Sequence, residues 1–358
     1  MKRNIKFITV LLAVTFLLAH TITAAAKTLK VVTTLPDYAY LAREIGKDLV
    51  QVKAIVDGTQ DAHFIRPRPS FVEILRNADL LVATGLDLEM WLPGAVDKSG
   101  NPKIRSGEIG YVAAATGMNL KDKPVALSHI EGGLHLYGNP HVTVSAINII
   151  QAIDNIRIGL SRNLPDNAQL LKTNADALTA NVCRMLYGKD LIDMLGQQTL
   201  LDLHKNGKLF NFIDNKKFKG RPLAEFVGGW LGKLWKLRGT HIVSYHKNWL
   251  YLFDDFGLVE GGFIEPKPGI PPSPRHLSDL KETMKKQNIK IVIAADYFDE
   301  KTVKQLAADT GANAAMMPYY VGGRPEIDTW EKLMDFWVNQ IAEAAQKSGL
   351  PEKTPDGK

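Results

Sequence analysis

Thr28-Leu29-Lys30-Val31-Val32-Thr33-Thr34 is a β-branched run that ends in a polar turn, and a helical pattern follows over residues 38–45. A short strand with a turn and a helix behind it is the opening unit of a parallel sheet. The unit recurs immediately. Residues 50–56 read as the next strand, stopping at Asp57-Gly58, and residues 70–77 as a helix announced by Pro69 and Ser70, with Glu73 placed for a capping box. Residues 80–84 then form a short buried strand. Strands and helices alternating at this length predict an α/β fold, a parallel sheet covered by helices on both faces.

Further along, Pro165-Asp166-Asn167 opens a long helical stretch reaching Gly188, with Leu171, Ala175, Leu178, Val182 and Leu186 at helical spacing. Beyond it the opening plan returns. Strands are expected over 240–245, 262–264 and 289–295, and helices over 278–286 and 302–310. The sequence has 358 residues, and chains beyond roughly 250–300 residues divide into more than one core. The expected organisation is therefore two lobes: a leader over 1–26, an N-terminal α/β lobe over 27–164, a rigid connecting helix over 165–188, an inserted segment over 189–238 and a C-terminal α/β lobe over 239–358. A ligand cleft is expected between the lobes, beyond the carboxyl ends of the strands.

The leader is read from Lys2, Arg3 and Lys6 ahead of an apolar run from Phe7 to Ala19, with Ala24-Ala25-Ala26 offering a cleavage site. This is the layout of a secretory signal and is too short for a stable span. Cys183 is the only cysteine, which leaves no acceptor for an N-terminal lipid and no internal disulfide. A periplasmic monomer without lipid anchor or membrane span is the expectation. The net charge of +6 includes the three basic residues of the leader, and the weak remaining bias does not point to nucleic acid. The basic run Lys216-Lys217-Phe218-Lys219-Gly220-Arg221 reads as a solvated loop.

Three histidines sit in short polar turns behind apolar runs. They are His63 in Asp61-Ala62-His63-Phe64-Ile65-Arg66-Pro67-Arg68-Pro69-Ser70, His141 in Asn139-Pro140-His141-Val142, and His246 in Ser244-Tyr245-His246. Together with Asp296, all fall at strand ends. With these segments, and with the proline-rich turn Glu265-Pro266-Lys267-Pro268-Gly269-Ile270-Pro271-Pro272-Ser273-Pro274, the chain resembles the substrate-binding component of bacterial zinc and manganese ABC importers, the TroA/ZnuA-like family. The resemblance runs over nearly the whole chain after the leader. It departs from the family at Ala62 and Asn139, where proline and aspartate are usual, and at Met316-Met317-Pro318, where many members place a carboxylate.

What the resemblance implies is a binding protein, not an enzyme. It would carry Zn2+, or Mn2+ or Fe2+, on His63, His141 and His246 to an ABC membrane permease with its cytoplasmic ATPase. Asp296 stands beside a family glutamate position and is the candidate fourth ligand; a helix-capping role for Asp296, or water as fourth ligand, stays open. His129 and His135 form a weak version of the His-rich loop of zinc-binding members, with solvated loop histidines as the default. Three imidazoles favour zinc over harder ions. The competing readings are a binding protein for a siderophore or haem chelate and, further off, an exported metallohydrolase, for which no His-Glu-x-x-His element is present.

Overall fold

The computed structural model describes residues 28–123 and 135–350. The leader, His129 and the last eight residues lie outside them. The N-terminal lobe runs β1 (Leu29–Thr33), α1 (Pro36–Gly46), β2 (Val50–Ala54), α2 (Pro69–Arg76), β3 (Leu80–Ala83), α3 (Leu92–Ser99), β4 (Tyr111–Ala113) and α4 (Ala146–Asn163). Next comes the connecting helix α5 (Ala168–Tyr187), about 30 Å long at the usual rise per residue. The inserted segment holds α6 (Lys189–Leu195), α7 (Gln197–Lys205), α8 (Leu209–Asn215), the hairpin β5 (Lys217–Phe218) and β6 (Arg221–Pro222), and α9 (Gly229–Leu234). The C-terminal lobe runs β7 (His241–Ser244), α10 (Leu250–Phe256), β8 (Val259–Phe263), α11 (Pro274–Lys286), β9 (Ile291–Ala295), α12 (Glu300–Thr310), β10 (Asn313–Met317) and α13 (Trp330–Lys347).

Each lobe has a four-stranded sheet, ordered β2-β1-β3-β4 in the first and β10-β9-β7-β8 in the second, with all pairings parallel. Counted from each lobe's own first strand, both orders are second, first, third, fourth, so the lobes share one topology. In each, the chain leaves the first strand toward one edge and later returns to build the other. That reversal opens a crevice at the strand ends.

Strand alternation decides which face goes where. Val31 and Val82, with Ile291, Ile293 and Ala295, turn into a central core that also takes in buried residues of α5, α9 and α13. Val32 and Leu81 face an outer layer under α2 and α3, and Val292 and Ala294 one under α11 and α12. The two lobes thus share one central apolar interior, and each adds a smaller outer cluster of its own. Polar contacts reinforce the seam. The buried Asp255 carboxylate on α10 accepts from Ser145 Oγ at 2.9 Å and Ala146 N at 2.6 Å, at the start of α4. Val321 N donates to Asp37 of α1 at 2.8 Å.

The insertion is a closed excursion. Gly188, at φ +80°, ends α5, and a Cβ there would lie 2.6 Å from the Gly228 Cα. Gly228 N donates to Tyr187 O at 3.0 Å, so the chain departs and returns at one point. The excursion closes at Gly228, ten residues before the boundary expected at 238. A second difference lies at α2: Arg68 is its N-cap residue, Pro69 opens it, and no side chain caps it. The Ser70–Glu73 capping box does not form.

Candidate metal centre

His63 lies on a single turn of 3-10 helix, Ala62–Phe64, in the connection that follows β2. Asp61 caps that turn: one carboxylate oxygen accepts from His63 N at 3.0 Å and from the ring Nδ1 at 2.7 Å. The second histidine repeats the device two residues behind an amide. Asn139 Oδ1 accepts from His141 N at 3.0 Å and from its Nδ1 at 2.8 Å. Asparagine adds what aspartate cannot, because its Nδ2 donates to Lys247 O at 2.7 Å and joins the second histidine to the turn carrying the third. His246 follows β7, and its Nδ1 lies 2.8 Å from Glu265 Oε2 at the end of β8.

A fourth imidazole completes the group. His135 stands with its Nε2 3.3 Å from the His63 Nε2, and its Nδ1 faces Asp87 Oδ1 at 3.4 Å, the loosest of the four outer contacts. Leu136 N anchors the other Asp87 oxygen at 2.7 Å. One ligand atom from each of His63, His135, His141 and His246 lies within 4.8 Å of all the others.

Nδ1 of His63 and Nδ1 of His141 are each bonded to an oxygen acceptor, which places the proton there and leaves the Nε2 lone pair turned inward. His246 Nδ1 stands against Glu265 in the same way, whereas His135 Nδ1 faces Asp87 without a hydrogen bond to it. His141 and His246 are buried, and their Nε2 atoms meet no hydrogen-bond partner among the described residues. The 3.3 Å between His63 Nε2 and His135 Nε2 is spanned by a proton in one His135 tautomer and, with both lone pairs inward, by a cation. Burial holds His141 well below the ordinary imidazole value, helped by the neighbouring rings. Burial also lowers His135, partly offset by Asp87. Burial pushes Asp61 up, but its side-chain and backbone hydrogen bonds from His63, with the charge of the His63 and His246 rings, together leave it below the usual carboxylate range. The donor set is four neutral nitrogens backed by three carboxylates, which suits a borderline-soft divalent ion in tetrahedral coordination.

Asp296 does not join the cluster. Arg324 grips it with both arms, Nε to Oδ2 at 2.9 Å and Nη2 to Oδ1 at 3.1 Å, and also binds Met316 O at 3.1 Å. A carboxylate neutralised by a bidentate guanidinium is a poor metal donor. Asp296 does not cap α12 either; Asp299 does, accepting from Thr302 N at 3.1 Å. His135, not Asp296, is the fourth side chain of the group. Its sequence signal was its position among glycines six residues before His141, too faint to separate it from a solvated loop residue. Glu265 was visible as the first residue of the proline-rich turn, but its role as ring acceptor was not.

Comparison with known proteins places the chain in a family. The family model described as zinc-uptake complex component A, periplasmic, matches residues 31–185 and 230–344. The chain belongs to this ZnuA family. Its members are extracytoplasmic metal-binding proteins of uptake systems and not enzymes. The unmatched residues 186–229 coincide with the excursion closed by Gly188 and Gly228.

Among relatives, the zinc-binding lipoprotein AdcA of Streptococcus pneumoniae is 22% identical over 284 residues, covering 78% of this chain and 46% of AdcA. The chain thus spans about half the length of AdcA. The iron-binding protein YfeA of Yersinia pestis is 23% identical over 88% of this chain and 86% of its own length. A crystal structure of ZnuA superposes with a TM-score of 0.65 at 20% identity, covering 89% of this chain and 99% of that one. The two-lobed fold is common to both.

Proposed function

We propose that this ZnuA-family chain captures one divalent transition-metal ion, Zn2+ before others, on His63, His135, His141 and His246. It then delivers the ion to an ABC permease whose cytoplasmic ATPase drives import. The observation that carries the reading is the convergence of four imidazoles on one point, three of them held from outside through Nδ1. Such a set offers no oxygen donor, which disfavours Mn2+ relative to Zn2+. The relatives are named for zinc and for iron, so the preference for zinc rests on the donor set. Ligand atoms within 4.8 Å of one another leave space for a bare ion and none for a siderophore or haem.

No helix among the described residues is long and apolar enough to cross a membrane. Cys183, the sequence's only cysteine, is buried in α5, and a periplasmic monomer without thioether-linked lipid is the form we propose. The test is calorimetry on metal-stripped protein with zinc and then manganese, with each histidine replaced in turn by alanine. Tight one-to-one zinc binding, weaker manganese binding and loss in all four variants are expected. Zinc binding that survives these substitutions overturns the proposal.

A further inference from the structure

The metal centre makes no use of the segment 189–238, yet that segment holds the chain's charge imbalance. It carries ten lysines and arginines against five acids, whereas the rest of the chain from residue 27 onward carries 31 against 33. The imbalance gathers at the β5–β6 hairpin, where Lys217 pairs with Pro222 and Phe218 with Arg221. Residues 216–221 are all exposed. Lys219 forms the tip at φ +48° beside Gly220 at φ +83°. A lysine in left-handed backbone at a two-residue turn is uncommon, since asparagine or glycine fits there with less strain.

Among the described residues no carboxylate lies within 4 Å of the amines of Lys216, Lys217 or Lys219, while Arg221 pairs with Glu225 at 2.9 Å. Asp214, the other nearby acid, is occupied by Arg238. Phe218 projects among these cations, its ring 5.3 Å from Lys219 Nζ and edge-on to Phe226 at 6.3 Å. An exposed aromatic ring flanked by unneutralised lysines is the chemistry of a membrane interface, where the ring enters the headgroup layer and the cations meet phosphates.

We propose that this hairpin docks on a membrane surface bearing anionic phospholipid headgroups. The inference rests on the extracytoplasmic placement of the protein. A single phenylalanine on strands two residues long provides no stacking track for nucleic acid, and an exposed convex tip provides no groove for a peptide. Weak attraction to the bilayer would hold the carrier near a permease embedded in it.

The test is co-sedimentation of the full chain, without its leader, with vesicles of phosphatidylglycerol and phosphatidylcholine or of phosphatidylcholine alone, at low and physiological salt. Zinc titration and circular dichroism are run on the same samples. Expected are binding to the anionic vesicles only, weakening with salt, and a loss of roughly 100-fold in Lys216→Gln/Lys217→Gln/Lys219→Gln, at about five-fold per cation. Phe218→Ser loses several-fold, and both variants keep zinc binding and helicity. Absence of wild-type binding to anionic vesicles, or equal binding by the triple variant, overturns the proposal. Charge-dependent capture by detergent-solubilised permease without vesicle binding overturns it too, in favour of a protein partner. Failure of zinc binding instead strikes the metal reading alone.

Discussion

At the scale of single residues, three imidazoles are oriented by an outer oxygen while His135 only faces Asp87, and the consequences differ by residue. His135→Ala removes a ligand and is expected to weaken zinc binding by roughly 100-fold, whereas Asp296→Asn, whose carboxylate belongs to Arg324, stays within two-fold of wild type. Competition titration with a zinc chelator reads both, and the reverse ranking would restore Asp296 as fourth ligand. Glu265→Gln keeps an acceptor for His246 but removes a charge, and about ten-fold weakening is expected. Proton competition has a definite sign. His141 and His135 are held below the ordinary imidazole value, so their nitrogens stay open to metal until the pH falls below about 6.5. In the metal-free protein these two rings should therefore take up protons only below pH 6.5, read by their ring-proton chemical shifts, and half-titration of either above pH 6.5 contradicts their burial.

At the scale of elements, close approaches decide the seam and the insertion. A Cβ on Gly58, in the connection from β2 to His63, would lie 2.5 Å from the backbone of Gly322 and Gly323. Backbone cannot yield as a side-chain tip can, so Gly58→Ala is expected to cost about 1–3 kcal/mol in urea unfolding and to weaken zinc binding by displacing the His63 turn. In the insertion, His204 on α7 is buried with its Nδ1 3.0 Å from Tyr187 Oη, and burial pushes it down to about 4. Between pH 6.5 and 4 the unfolded chain takes up a proton that the folded one refuses, so stability falls with pH by up to about 3 kcal/mol. Buried Asp37 and Asp255, pushed up to about 7, act in the opposite direction, destabilising as the pH rises toward 7. The His204 contribution is therefore read by difference. Wild type should lose ground against His204→Gln as the pH drops from 6.5 to 4, and a constant gap refutes it.

Elements with a strong local signature were legible in the sequence: β1, β2, β9, α1 and α5 fall within a few residues of expectation. Helix α4 was not, since Ile147, Ile149, Ile150, Ile153 and Ile156 favour strand by propensity and are helical because five turns bury them against the core. Strands β4, of three residues, and β10, Asn-Ala-Ala-Met-Met, carry too little β-branched character to announce themselves. The histidines at strand ends were legible for the same reason as the strands, because the end of a strand is a local feature. The partnership of His135 with Asp87 and the capture of Asp296 by Arg324 depend on contacts across 48 and 28 positions of chain, which no local pattern encodes.

At the scale of the molecule, two lobes of one topology share a continuous interior, and α5 with the Asp255 and Asp37 contacts spans their seam. Such a body should unfold as one unit, giving a single calorimetric transition that zinc shifts upward by mass action, about 2.7 kcal/mol at a free concentration of 100 Kd. Two separable transitions would contradict the shared core. Capture then depends on a site already assembled, with little closure of lobes. The measurement that tests this centre most directly is zinc K-edge X-ray absorption on the one-to-one complex, beside the His135→Ala complex. Four imidazole nitrogens at about 2.0–2.1 Å are expected in the wild type, and three with one oxygen in the variant. A wild-type shell of three imidazoles and a carboxylate, unchanged by the loss of His135, would contradict it.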